Sequence, residues 1–80
     1  MRFPSRRTMQ TLDAIVHAKE MFILDDEIII VVHDQGKWEV RGDELDTLVE
    51  RGWITLPEED QLKVTPEGVH QLNRWRRNSR

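Results

Sequence analysis

The chain has 80 residues, a net charge of −3, 38% hydrophobic residues, three Trp, two Phe and no Cys. This length allows one domain with one small core, since such a chain buries only about 60–65% of the surface it exposes when unfolded. The composition excludes a disulfide framework and a thiolate metal site, and no apolar run approaches the roughly 20 residues of a membrane span.

The opening Met1-Arg2-Phe3-Pro4-Ser5 lacks the apolar core of a signal segment, so a cytoplasmic protein away from membranes is expected. The net charge hides an asymmetry. Residues 1–7 carry Arg2, Arg6 and Arg7, residues 74–80 carry Arg74, Arg76, Arg77 and Arg80, and the stretch between holds all fifteen acids against five basic residues. Basic ends flanking an acidic body serve solubility, or they meet phosphates if the two termini lie close together.

In chain order, residues 1–7 are expected to form a basic N-terminal tail, 8–77 the folded domain and 78–80 a C-terminal tail. Met9, Leu12, Ile15, Val16, Lys19, Phe22 and Ile23 recur at three-and-four spacing, which predicts an amphipathic helix over 8–24. Asp25-Asp26-Glu27 would oppose the helix dipole and stop it there. Ile28-Ile29-Ile30-Val31-Val32 is a β-branched run suited to a strand. Asp34-Gln35-Gly36-Lys37 is turn chemistry, so 28–33 and 37–41 read as a β-hairpin, with a short helix at 26–34 as the rival.

Gly42 breaks the strand and Asp43 is the expected N-cap of a helix whose apolar stripe is Leu45, Leu48 and Val49. Gly52 after Arg51 is a natural left-handed C-cap. Trp53-Ile54-Thr55-Leu56 and Leu62-Lys63-Val64-Thr65 read as two strands joined by a polar turn. Thr65 then caps a final helix, with Pro66 in the first position, where a missing N–H costs nothing. Val69, Leu72 and Trp75 are expected to face inward. The class is α+β, with Leu48, Val49, Ile54, Leu72 and the first-helix stripe sharing a core and Trp53 beside Gly52.

The residues Leu45, Leu48, Gly52, Trp53, Ile54, Val64, Thr65, Pro66, Glu67, Gly68 and Leu72 follow the order leucine-rich helix, Gly-aromatic-Ile, wing, Thr-Pro-Glu-Gly, helix. This segment, 43–72, resembles the recognition-helix and wing half of winged helix-turn-helix proteins, and is most similar to MarR- and PadR-type regulators. The resemblance implies a small winged-helix domain (helix, β-hairpin or short helix, helix, two-stranded wing, C-terminal helix), DNA binding, transcription regulation and a homodimer, with the terminal helices as its natural interface. The first half departs from the family: where a polar, well-capped helix normally precedes the recognition helix, this chain has the Ile/Val run.

The expected DNA contacts are Arg2, Arg6, Arg7, Arg41, Thr47, Arg51, Lys63, Arg74, Arg76 and Arg77. The recognition helix itself is acidic, with Asp43, Glu44, Asp46 and Glu50 read as outward-facing, and carboxylates oppose a duplex carrying one charge per roughly 1.7 Å. The wing tip Glu58-Glu59-Asp60 has the same sign. The alternative function is therefore a protein-interaction module for a partner with a basic surface, using Asp43, Glu44, Asp46, Glu50, Trp38 and Trp75.

His17, His33 and His70 lack metal-ligand spacing. The only serines, Ser5 and Ser79, lie near the ends, and no Gly-rich phosphate loop occurs. An enzyme, a metal centre and a bound cofactor are not expected.

Overall fold

Ser5 opens the first helix, α1 (Arg6–Val16), by accepting the Thr8 N–H on its hydroxyl at 3.2 Å. In this computed structural model, which describes residues 3–24, 28–58 and 61–78, α1 buries Thr8, Met9, Thr11, Leu12, Ala14 and Ile15 on one face. Arg2, the expected helix stop at Asp25-Asp26-Glu27, and Glu59 and Asp60 of the wing tip lie outside the described residues.

The helix ends far earlier than the 8–24 span predicted from spacing. After Val16 the chain turns at His17–Lys19 and forms strand β1 (Glu20–Leu24). Met21-Phe22-Ile23-Leu24 satisfies a helical pattern and a strand pattern alike, and pairing decides between them. β1 runs antiparallel to β2 (Ile28–His33), with Met21 opposite Val31 and Phe22 opposite Ile30. β2 continues into β3 (Gly36–Val40) through a tight turn, with Val31 opposite Trp38 and Ile29 opposite Val40. The expected hairpin is present, enlarged to a three-stranded meander ordered β1-β2-β3.

Helix α2 spans Gly42–Glu50. Its N-cap is Arg41 and not Asp43, because Glu44 reaches back to accept the Arg41 N–H at 3.1 Å. Glu44 is buried, and the inward stripe is Glu44, Leu45 and Leu48, so Val49, expected in the core, is 39% exposed. The helix closes as expected on Gly52, whose φ of +73° is left-handed. The Gly52 N–H donates to Val49 O and the Trp53 N–H to Leu48 O, both at 3.0 Å, the paired bonds of a Schellman end. That turn drives Trp53 into the centre of the core, 1% exposed.

Strands β4 (Ile54–Glu58) and β5 (Gln61–Val64) form a separate two-stranded hairpin. Thr65 then joins three elements. Its N–H donates to Trp53 O at 2.9 Å, its hydroxyl donates to Gly52 O at 2.7 Å, and the same hydroxyl accepts the Gly68 N–H at 3.0 Å. Helix α3 (Pro66–Asn78) thus starts against the end of α2. A Cβ on Gly68 would overlap the Trp53 carbonyl oxygen and sit 2.9 Å from Val64 Cγ1, so the close approach of α3 requires glycine. Leu72 is buried and Trp75 packs on the core as expected, whereas Val69 is 38% exposed.

Met9, Leu12, Ile15, Val31, Val40, Leu48, Trp53, Ile54 and Leu72 form one core. The architecture is α+β, three helices with a three-stranded and a two-stranded antiparallel sheet, compatible with a small winged-helix-like domain. The element before α2 is the meander, so no helix–turn–helix pair immediately precedes β4. Among the described residues, no helix is long and apolar enough to cross a membrane.

Candidate nucleic-acid interface

The surface best suited to a polyanion lies on α3. This helix buries Gly68, Gln71 and Leu72, which fixes the opposite face toward solvent. His70, Asn73, Arg74 and Arg77 are exposed there, at the i, i+3, i+4, i+7 spacing of a single stripe. No acid follows Glu67 in the chain, so this stripe carries two guanidiniums without a carboxylate of its own helix between them. Glu67 sits in the first turn, where a carboxylate suits the helix dipole, and accepts from Gln71 Nε2 at 2.7 Å.

Arg76 points elsewhere. Its guanidinium pairs with Asp13 on α1, and the same Asp13 carboxylate lies 2.9 Å from His17 Nδ1. Arg76 therefore fastens α3 to α1. These residues line one side of a 340 Å³ cleft, with His33, Asp34 and Trp38 on the other. His33 Nδ1 accepts the Gln35 N–H at 3.2 Å and so holds the β2–β3 turn. Among the described residues, no group of three or more His, Asp or Glu side chains could hold a metal ion.

The N-terminal arginines divide in the same way. Arg6 and Arg7 occupy the first turn of α1 and are not a detached tail. Arg6 is exposed. Arg7, half-exposed at the surface, is committed to partners of its own chain: its Nε lies 3.2 Å from Glu44 Oε2, its Nη2 donates to Glu39 O at 3.2 Å, and its guanidinium lies over the Trp38 ring at 4.6 Å. Trp38 in turn donates from Nε1 to Thr11 Oγ1 at 2.9 Å. Arg7 thereby joins α1, β3 and α2, and its buried Glu44 partner leaves the outward acidic set. Neither role carried a local signal, since the partners come from distant parts of the chain.

The remaining candidates are scattered. Arg41 and Lys63 are exposed, on the α2 N-cap and on β5. Arg51 lies with its guanidinium 5.2 Å from the centre of the Trp53 ring. Thr47 spends its hydroxyl on the Asp43 carbonyl of its own helix at 3.0 Å. The outward face of α2 carries Asp43, Asp46 and Glu50 beside exposed Val49. Trp75 is half-buried. Helices α1 and α3, expected to form a dimer interface, pack against each other within one chain. Comparison with known proteins finds no matching family model, no matching curated protein and no matching solved structure.

Proposed function

We propose that this chain is a small winged-helix-like DNA-binding protein, acting as a transcriptional regulator, that approaches double-stranded DNA through α3 and not through the acidic α2. The observation that carries this reading is the exposed stripe His70, Asn73, Arg74 and Arg77. Arginine and asparagine are the side chains that pair bidentately with guanine and adenine edges, and arginine also pairs with phosphate. Arg6, Arg41 and Lys63 are secondary phosphate contacts; Arg7 and Arg76 support the scaffold. Binding is dominated by phosphates and falls with salt in proportion to the number of cations engaged, by about 0.9 in log–log slope for each phosphate contact.

A second reading is favoured by α2. Val49 lies exposed on a helix whose other outward residues are Asp43, Asp46 and Glu50, a face suited to a partner protein with a basic surface. One amide-shift titration with duplex DNA separates the two. Shifts concentrated on residues 70–77 are expected. Shifts confined to residues 43–50, or none at low salt, would remove the DNA reading through α3.

A further inference from the structure

We infer that the outer face of the three-stranded sheet is the contact surface of a homodimer, with a second copy of this chain as its occupant. Side chains alternate across a sheet. Met21, Ile29, Val31, Trp38 and Val40 point to the core or pack against it. The opposite face therefore carries Glu20, Phe22, Ile30, Val32, Lys37 and Glu39. Phe22 is 49% exposed, Ile30 and Val32 are half-buried, and none of the three belongs to the core or packs on it.

An antiparallel sheet with one wet face normally alternates apolar and polar residues, whereas a continuous β-branched run marks a strand covered on both sides. Ile28-Ile29-Ile30-Val31-Val32 is such a run, yet α1 covers only one side of it. The central strand is thus built for a second layer that the described residues do not supply.

Charge selects the occupant. The registers place Glu20, Val32 and Lys37 in one row and Phe22, Ile30 and Glu39 in the next. A two-fold axis along β2 reverses strand order while keeping the rows in line, so β1 of one copy lies over β3 of the other. Glu20 then meets Lys37 of the second copy, and the reverse pair forms symmetrically. Ile30 and Val32 meet their own counterparts on the axis strand, and Phe22 covers the stem of Glu39 of the second copy. Within one chain Glu20 and Lys37 stand two strand spacings apart, about 10 Å, too far to pair with each other. Among the described residues, neither has an ion-pair partner.

The face measures about 17 by 14 Å, which places the association among weak ones. The test is sedimentation equilibrium over a concentration series reaching the upper micromolar range. Wild-type protein is expected to approach twice the chain mass. Lys37→Glu, which sets two carboxylates against each other, should raise the dimer dissociation constant by about tenfold or more. The double reversal Glu20→Lys with Lys37→Glu should return it toward wild type. Ile30→Thr, which keeps strand propensity, should weaken the dimer while leaving the far-ultraviolet circular dichroism unchanged. A monomer throughout the series overturns the inference. So does a dimer indifferent to Lys37→Glu and Ile30→Thr, or a double reversal that is weaker than the single one. None of these outcomes depends on DNA.

Discussion

Replacing Gly68 by Ala tests the junction on which the second half of the molecule is assembled. In an open helix the change adds up to about 1 kcal/mol through helix propensity. Here the new methyl would overlap the Trp53 carbonyl oxygen, with Val64 Cγ1 at 2.9 Å behind it. Backbone is the nearest obstacle, so no rotamer change can relieve the overlap. Moving α3 outward stretches the Thr65 N–H bond to Trp53 O and the cap from Thr65 Oγ1 to the Gly68 N–H, at 2.9 and 3.0 Å. Overpacking of this kind costs about 1–3 kcal/mol. It exceeds the propensity gain, which is reduced in the first turn because the orphan N–H groups there are capped already. The expected net loss is about 1–2 kcal/mol, and in a domain of this size each kcal/mol lowers Tm by about 4–8 °C. Thermal unfolding followed by circular dichroism reads this directly. Gly42→Ala is the internal control, since a Cβ there meets nothing within 4 Å, and it should raise Tm or leave it unchanged. If Gly68→Ala melts at or above the wild-type temperature, the proposed packing of α3 on the Trp53 carbonyl is wrong.

Other expected outcomes follow from the same contacts. Gly52→Ala should lower Tm, because φ is +73° and a Cβ costs on the order of 1 kcal/mol in the left-handed region; an unchanged melt would remove Gly52 as the helix terminator. Leu48→Ala should cost about 2–5 kcal/mol in urea denaturation, a large share of a small domain's stability, whereas Val49→Ala, half in solvent, should cost clearly less; equal losses would contradict the burial pattern. Glu44→Gln keeps an acceptor for the Arg41 N–H but loses the charge beside Arg7, so it should destabilise less than Glu44→Ala, which loses both. The reverse order in chemical denaturation would show that the cap is not what Glu44 contributes.

Much of the second half was legible because its rules are local. Gly52 after a Leu-rich helix, and Thr65-Pro66 before another, each fix their own backbone through one or two hydrogen bonds within a few residues. The β2–β3 hairpin was legible for the same reason: a β-branched run met a turn sequence and an alternating strand. β1 was not. Its apolar residues fit helical spacing as well as strand spacing, and only the pairing of Met21 with Val31 and Phe22 with Ile30 decides.

The candidate site was legible in composition and not in geometry. The C-terminal arginines were visible as a cluster, but the sequence could not say that Arg76, exposed like Arg74 and Arg77, is turned toward α1 and paired with Asp13. Glu44 had the reverse fate. It counted as one more surface acid, and its burial depends on Arg7, which arrives from α1. Val49 lies at the margin of the inward stripe of Glu44, Leu45 and Leu48 and is 39% exposed. Arg76 and Glu44 each form a long-range ion pair, which spacing rules do not reveal.

The central claim is that α3 presents the cationic surface that meets DNA. Its most direct test is the salt dependence of duplex binding, measured by fluorescence anisotropy for the wild type, Arg74→Ala with Arg77→Ala, and Asp43→Asn with Asp46→Asn. Each phosphate contact contributes about 0.9 to the slope of log K against log salt. The arginine double variant should therefore bind more weakly, with a slope shallower by up to about two units, and the asparagine pair should bind as well as wild type or better. An arginine variant with undiminished affinity and slope, beside an asparagine pair that no longer binds, would place the contact on α2 and contradict the account.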